Sequence, residues 1–241
     1  MDKPVLRSVK AGSEEISFLL ERKNVKNLNL RIRYDGGIYV SANVGVPVES
    51  VDEFVIKKSE YIKKASGRFK RFAGSCVSPK QYVSGETFNL LGRGLRLKVV
   101  KAAETKVFTD GVYIYVETKI PEDFEAKKRL VSRFIDSECK RVFTEILDEL
   151  YPLVGKYGVK RPQLRVRNMK TRWGSCLPGK GIVTINRRLI EFPRNCIEYV
   201  IMHELCHFVH PNHSKEYYGF LGSLMPDWKE RKDFLENSFL K

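Results

Sequence analysis

Between positions 200 and 209 the chain reads Val-Ile-Met-His-Glu-Leu-Cys-His-Phe-Val, which puts His203 and His207 four residues apart in an apolar setting. On a helix, positions i and i+4 lie about 40° apart around the axis and ~6 Å apart along it, so two imidazoles can converge on one metal ion. Glu204 falls about 100° around from His203, beside such an ion rather than on it, and within reach of a water activated there. Apolar neighbours keep the helix inside the domain, where an ion is held away from bulk water. The alternative is a pair of core histidines satisfied by hydrogen bonds. The buried helical context and the further histidines nearby weigh against it.

Catalytic zinc takes three protein ligands and one open position. The third ligand is either His210 or His213. On an unbroken helix His210 would sit ~10 Å beyond His203 along the axis, too far for both to share an ion. Pro211 also biases His210 away from helical geometry, and Pro211-Asn212 is a turn signal that can bring His213 back to the metal. His213 is therefore the favoured ligand, with His210 a histidine facing the last helix carbonyls. Arg172, Tyr217 and Tyr218 are candidate stabilisers of transition-state charge, against aromatic packing for the tyrosines and a solvated charge for the arginine. Trp173 reads as core. A strand near Trp173–Ser175 or Val183–Ile185 is placed to pair with an extended peptide.

These residues need elements to hold them. Leu164 to Arg167 alternates as a strand leading into Arg172-Trp173-Gly174-Ser175-Cys176, and Gly181 to Asn186 reads as a hairpin partner. A helix is predicted from near Pro193, tolerated in a first turn, to about His210. Ser214 can cap a further helix, and Asp227-x-x-Glu230 resembles a capping box opening a last one. From Pro121 to about residue 155, Leu130, Phe134, Ile135, Val142, Ile146, Leu147 and Leu150 recur at helical spacing. Before that, strand signals dominate. One hairpin turns at Asp35-Gly36-Gly37, preceded by a candidate strand over 15–22. Another turns at Gly92-Arg93-Gly94 and a third at Asp110-Gly111. One helix is predicted over about 49–65, and 66–80 reads as a polar loop. No internal repeat is visible. The expected fold class is α+β, with an antiparallel β-rich part carrying one helix over 1–118 and a mainly helical part with a small sheet over 119–241.

The global numbers bound the partners. A chain of 241 residues suffices for one large domain or two small ones. No apolar run approaches the ~20 residues of a membrane helix, and the first residues lack the apolar stretch of a signal peptide. The expected location is the cytoplasm. Five cysteines at wide spacings, without a Cys-x-x-Cys pair, read as reduced thiols rather than a disulfide framework. The net charge of +15 is spread over both halves, with a dense stretch from Lys57 to Arg71. Such a surface attracts anionic partners, nucleic acid included, although a solvated basic helix face is the plainer reading.

The run His203-Glu-Leu-Cys-His207-Phe-Val-His-Pro-Asn-His213-Ser resembles the signature of the YgjP-like metallopeptidases, relatives of the SprT and Wss1 zincins. Arg172-Trp173-Gly174-Ser175-Cys176 is similar to that family's Trp-Gly-Ser-Cys strand. Ile182 to Asn186, Leu189, Pro193 and Pro226-Asp227-Trp228-Lys229 are similar to its following elements. Tyr217-Tyr218 stands where the family often has Phe-Trp, and Tyr61-Ile62 where Trp-Ile is common; both keep an aromatic. The resemblance implies a minimal zincin-like domain over 119–241, zinc held by His203, His207 and His213, and Glu204 as catalytic acid/base in peptide-bond hydrolysis. A peptide or protein is the implied substrate. Two rivals stand beside this reading. One is a protease recruited to nucleic acid through the basic surface, as the related Spartan and Wss1 proteins are. The other is a non-catalytic metal- or nucleic-acid-binding module, against which the intact Glu204 argues.

Overall fold

The computed structural model describes residues 4–12, 14–32, 37–63 and 79–238. The chain divides into two compact units, residues 1–76 with 236–241 and residues 77–235.

In the first unit, β1 (Val5–Ala11), β2 (Glu14–Arg22), β3 (Asn29–Ile32) and β4 (Ile38–Ala42) form a sheet in the order β1-β2-β4-β3. Alternation on β2 turns Ile16, Phe18 and Leu20 inward. With Val40 and Ala42 they meet Val51 and Val55 of helix α1 (Val48–Lys57) in one apolar cluster. Strands β3 and β4 pair antiparallel as the hairpin signal predicts, Leu30 opposite Val40. Of the turn residues, Asp35 and Gly36 lie outside the described residues, as do most of the polar stretch 66–80 and Lys64, Arg68, Lys70 and Arg71 of the basic cluster.

The second unit opens with the same connectivity. Strands β5 (Thr87–Leu90), β6 (Arg93–Lys101), β7 (Lys106–Thr109) and β8 (Tyr113–Thr118) run in the order β5-β6-β8-β7. A repeat of topology thus exists where no repeat of sequence is visible, because period-2 alternation constrains residue class and not identity. The sheets are mixed rather than wholly antiparallel, with β2–β4 and β6–β8 parallel. The third strand runs down one slot away from the second, and the fourth fills the gap by running up again. The β5–β6 turn forms at Leu91-Gly92, one residue before the predicted Gly92-Arg93-Gly94. Leu91 and Gly92 both have positive φ.

Helix α2 (Phe124–Gly155) follows, capped by Asp123, whose carboxylate accepts from the Ala126 N–H at 2.9 Å. Then come β9 (Gln163–Arg167), β10 (Gly174–Leu177) and β11 (Ile182–Asn186), in the order β10-β11-β9. Strand β11 is buried along its whole length, paired antiparallel with β10 and parallel with β9. A 3-10 turn over Arg187–Glu191 leads to α3 (Arg194–Cys206), α4 (Lys215–Leu224) and α5 (Trp228–Ser238). The core joins Val142, Phe143, Ile146 and Leu147 of α2 to Val183 and Ile185 of β11 and Ile197, Val200 and Ile201 of α3. Ion pairs of Arg194 with Glu145 and Glu149 fasten the start of α3 to α2, and a third, with Glu198, lies within α3.

Residue 118, the boundary read from the sequence, ends β8 inside this second unit. The Leu91 and Gly92 N–H groups donate to the carbonyls of Ile190 and Glu191 at 2.7 and 3.2 Å. A Cβ on Gly92 would lie 2.7 Å from Pro193 Cγ, so the β5–β6 turn is fitted against the residue that begins α3. The four described cysteines are unpaired, and burial pushes the thiols of Cys139 and Cys206 up to about 12. Among the described residues no helix is long and apolar enough to cross a membrane.

Candidate metal centre

Helix α3 carries Tyr199, His203 and Glu204, and ends at Cys206 rather than running to His210. The residue before a proline is disfavoured in helical geometry, and Pro211 follows His210. His207 sits at the C-cap with φ −67° and ψ −15°, so the i, i+4 relation to His203 survives. The chain then turns through Pro211-Asn212 and enters α4, whose first turn is capped by Ser214, Oγ accepting from the Tyr217 N–H. That turn brings His213 back. One ring nitrogen from each of His203, His207 and His213 lies within 4.8 Å of the others. The Nε2 atoms of His203 and His213 are 3.0 Å apart.

The His207 imidazole is held from behind. His207 Nδ1 lies 3.2 Å from the His210 carbonyl, which selects the tautomer that leaves Nε2 free to bind an ion. The Tyr217 ring stacks on His207 at 4.7 Å, and its hydroxyl donates to the His203 carbonyl at 3.0 Å. Burial, with His207 and His213 beside it, lowers the His203 pKa to about 3. Burial also lowers that of His207. Neutral imidazoles are the form that binds metal. His203 Nδ1 is buried without a hydrogen-bond partner among the described residues. His203 Nε2 is the nitrogen turned towards His213. Three imidazoles without a carboxylate suit zinc, copper, nickel or iron better than calcium or magnesium, so the residues present fit a transition-type ion.

Glu204 is 5% exposed. Burial raises its pKa to about 8, partly offset by the positive charge of Arg172. None of the described residues donates a hydrogen bond to its carboxylate, which leaves both oxygens available to a water. The side chain lies along β10, and a Cβ on Gly174 would meet its Oε1, Cγ and Cδ, the last two at 2.7 and 2.9 Å. The position of β10 depends on Asn186, fully buried at the end of β11. Its Nδ2 donates to the carbonyls of Met169 and Arg172, both at 2.9 Å, and the Asn186 N–H donates to the Trp173 carbonyl at 2.8 Å. A closed loop over 169–173 results, and it sets Gly174 against Glu204.

The structure brings His203, Glu204, His207 and His213 into one place, with Tyr217 behind them and Tyr218 beside them. His210 faces away, its ring against Phe220 at 5.2 Å. Tyr217 has no exposed surface and its hydroxyl is committed to the backbone. Tyr218 is 37% exposed, its ring between those of His213 and Trp228. Arg172 is exposed near Glu204. Trp173 packs edge-on against Phe192 at 5.1 Å and is half-buried rather than a full core residue. The Asp227 carboxylate accepts from Arg231 Nε at 2.8 Å, tying one turn of α5. Gly174 and Asn186 stand in the motifs quoted from the sequence, but no sequence signal assigns their parts. A glycine in a strand hints at a close approach without naming what approaches.

Among solved structures the chain is similar to the metallopeptidase zymogen abylysin of Pyrococcus abyssi. Identity is 20% over 40% of this chain and 93% of that one, with a TM-score of 0.36. It is similar also to the zymogen jannalysin of Methanocaldococcus jannaschii, at 20% identity over 39% of this chain and 92% of that one, with a TM-score of 0.34. No curated protein gives a significant match. The family described as YgjP-like, metallopeptidase domain, matches residues 26–238, nearly the whole chain and all of the histidine cluster, and the protein belongs to that family.

Proposed function

We propose that the protein is a zinc peptidase in which His203, His207 and His213 hold the ion and Glu204 is the acid/base. The observation that carries this reading is the convergence of three imidazole nitrogens within 4.8 Å, next to a buried carboxylate to which none of the described residues donates a hydrogen bond. When bound, zinc supplies Lewis-acid polarisation of the scissile carbonyl and acidifies a water. Glu204 takes the proton of the attacking water and delivers it to the leaving amine. In the metal-free site burial favours its protonated form, and a cation bound beside it would favour the carboxylate that acts as the base. Tyr217 holds the His203 carbonyl and the His207 ring in place rather than touching substrate. Arg172 and Tyr218 are the groups free to stabilise the oxyanion.

Substrate binds as an extended strand along β10. Strand β11 is paired on both sides and has no edge to offer, whereas β10 is the outer strand beside Glu204. An added strand there gains main-chain hydrogen bonds and presents its carbonyl to the site.

The test is elemental analysis together with cleavage of a peptide library by the wild type and by Glu204→Gln. About one zinc per chain is expected in both proteins, and cleavage in the wild type alone. Protein prepared without chelator that carries no metal and binds none on titration would overturn the metal assignment. Cleavage by Glu204→Gln at the wild-type rate would overturn the role of Glu204.

A further inference from the structure

The sheet of β5 to β8 buries one face, with Leu95, Leu97, Ile114 and Val116 in the core. Its other face carries a different kind of surface. Register places Lys98, Tyr115 and Phe108 in one row across β6, β8 and β7, with Arg96 opposite Tyr113 in the next row and Lys106 opposite Glu117 in a third. The Phe108 and Tyr115 rings stack at 4.9 Å with planes 8° apart, and Tyr113 lies 5.9 Å from Tyr115. Lys98 Nζ stands 5.3 Å from the Tyr115 ring centre and Lys106 Nζ 5.1 Å from that of Phe108. Among the described residues, Arg96, Lys98 and Lys106 form no ion pair. The acids of this face are Glu117 and Asp110, and Asp110 accepts from the Tyr115 hydroxyl at 3.0 Å.

We infer that this face docks a single strand of nucleic acid, its bases stacking on Phe108, Tyr113 and Tyr115 and its phosphates meeting Arg96, Lys98 and Lys106. Rings interleaved with cations are what an unstacked strand needs, because every base has a π-face and every linkage a charge. A lysine over a ring in water holds it weakly, so a base displaces it and the freed ammonium turns to a phosphate. A duplex offers no open base face, and an acidic peptide has no use for three adjoining rings. The Thr109 hydroxyl is already bonded to the Tyr113 carbonyl and the Gly111 N–H, and that of Tyr115 to Asp110. Stacking and charge therefore carry the binding, and DNA and RNA strands bind alike. The chain's +15 net charge adds long-range attraction.

The experiment is fluorescence anisotropy of the full chain with labelled oligo-dT and oligo-U of about 16 nucleotides, beside a duplex of the same length. Three neutralised phosphates should make affinity fall about 15- to 20-fold between roughly 50 and 200 mM salt. Phe108→Leu with Tyr115→Leu should weaken binding at least roughly 30-fold and keep the salt slope. Lys98→Glu with Lys106→Glu, on exposed side chains that the fold does not need, should weaken binding and flatten the slope. Circular dichroism and zinc content identify any variant that fails to fold, and the lysine pair then decides. The inference falls if neither strand binds, if the lysine variant binds as the wild type does, or if the duplex binds as tightly. It falls also if polyglutamate displaces oligo-dT as readily as unlabelled oligo-dT does.

Discussion

Replacing Gly174 by alanine inserts one methyl group between β10 and the Glu204 side chain. The backbone at this position does not demand glycine, since its φ is not positive; only the space does. The new Cβ would stand 2.7 Å from Glu204 Cγ and 2.9 Å from Cδ. Ordinary carbon contacts lie at ~3.5–4.0 Å, so side chain or strand must give by roughly 1 Å. Glu204 is 5% exposed and has little room to withdraw. Overpacking of this kind costs about 1–3 kcal/mol, which in a unit of this size lowers Tm by roughly 2–10 °C. The loss of activity should be larger, since displacing a catalytic group by ~1 Å can cost ~100-fold. The three imidazoles do not touch Gly174, so zinc content should stay at the wild-type value. Thermal melts, zinc analysis and peptide cleavage on Gly174→Ala read the three quantities separately. Glu204→Asp shortens the side chain and makes room for the methyl. The double variant should therefore be more stable than the sum of the singles, though still inactive. A fully active Gly174→Ala, or strictly additive stabilities, would show that the strand and Glu204 are not in the contact described.

His213→Ala should strip most of the zinc, whereas His210→Ala, whose ring packs on Phe220, should leave zinc and cleavage nearly intact. The opposite pattern in metal analysis would reassign the third ligand. In metal-free protein two buried groups set opposing pH slopes. His203 is lowered from 6.5 to about 3, so stability present above pH ~6.5 is lost as the pH falls towards 3, the unfolded chain taking the proton first. Glu204 is raised from 4.5 to about 8, so stability present below pH ~4.5 is lost as the pH rises towards 8. The lowered His207 adds to the His203 slope, so the histidine and glutamate slopes oppose each other between 4.5 and 6.5. Urea melts should show the weakest pH dependence there, a loss as the pH falls below it, and a loss of up to ~1.4 kcal/mol per pH unit as it rises towards 8. Stability that climbs steadily from pH 5 to 8 would refute the burial of Glu204 as its cause.

The clustering of the site's histidines was legible because it is local. The four-residue spacing of His203 and His207, the neighbouring Glu204 and the Pro211-Asn212 turn are all encoded within eleven residues. Helix geometry and the proline rule turn that spacing into a cluster with His213 without reference to the rest of the chain. Hairpin turns at Asp110-Gly111 and near Gly92 were legible for the same reason, since their backbone angles are written in the turn residues themselves. Strand β1 was missed, and so was the parallel pairing in each sheet, because alternation says which face is buried and not which strand lies alongside. Tertiary structure alone decided that Gly174 leaves room for Glu204. It also decided that Asn186 closes the loop before β10, and that the Tyr217 hydroxyl serves the His203 carbonyl rather than the substrate. Each of these is a contact between residues far apart in sequence, on a side chain that could equally have pointed elsewhere. The packing of α3 against β10 and β11 chooses between those outcomes, and no single element carries that choice.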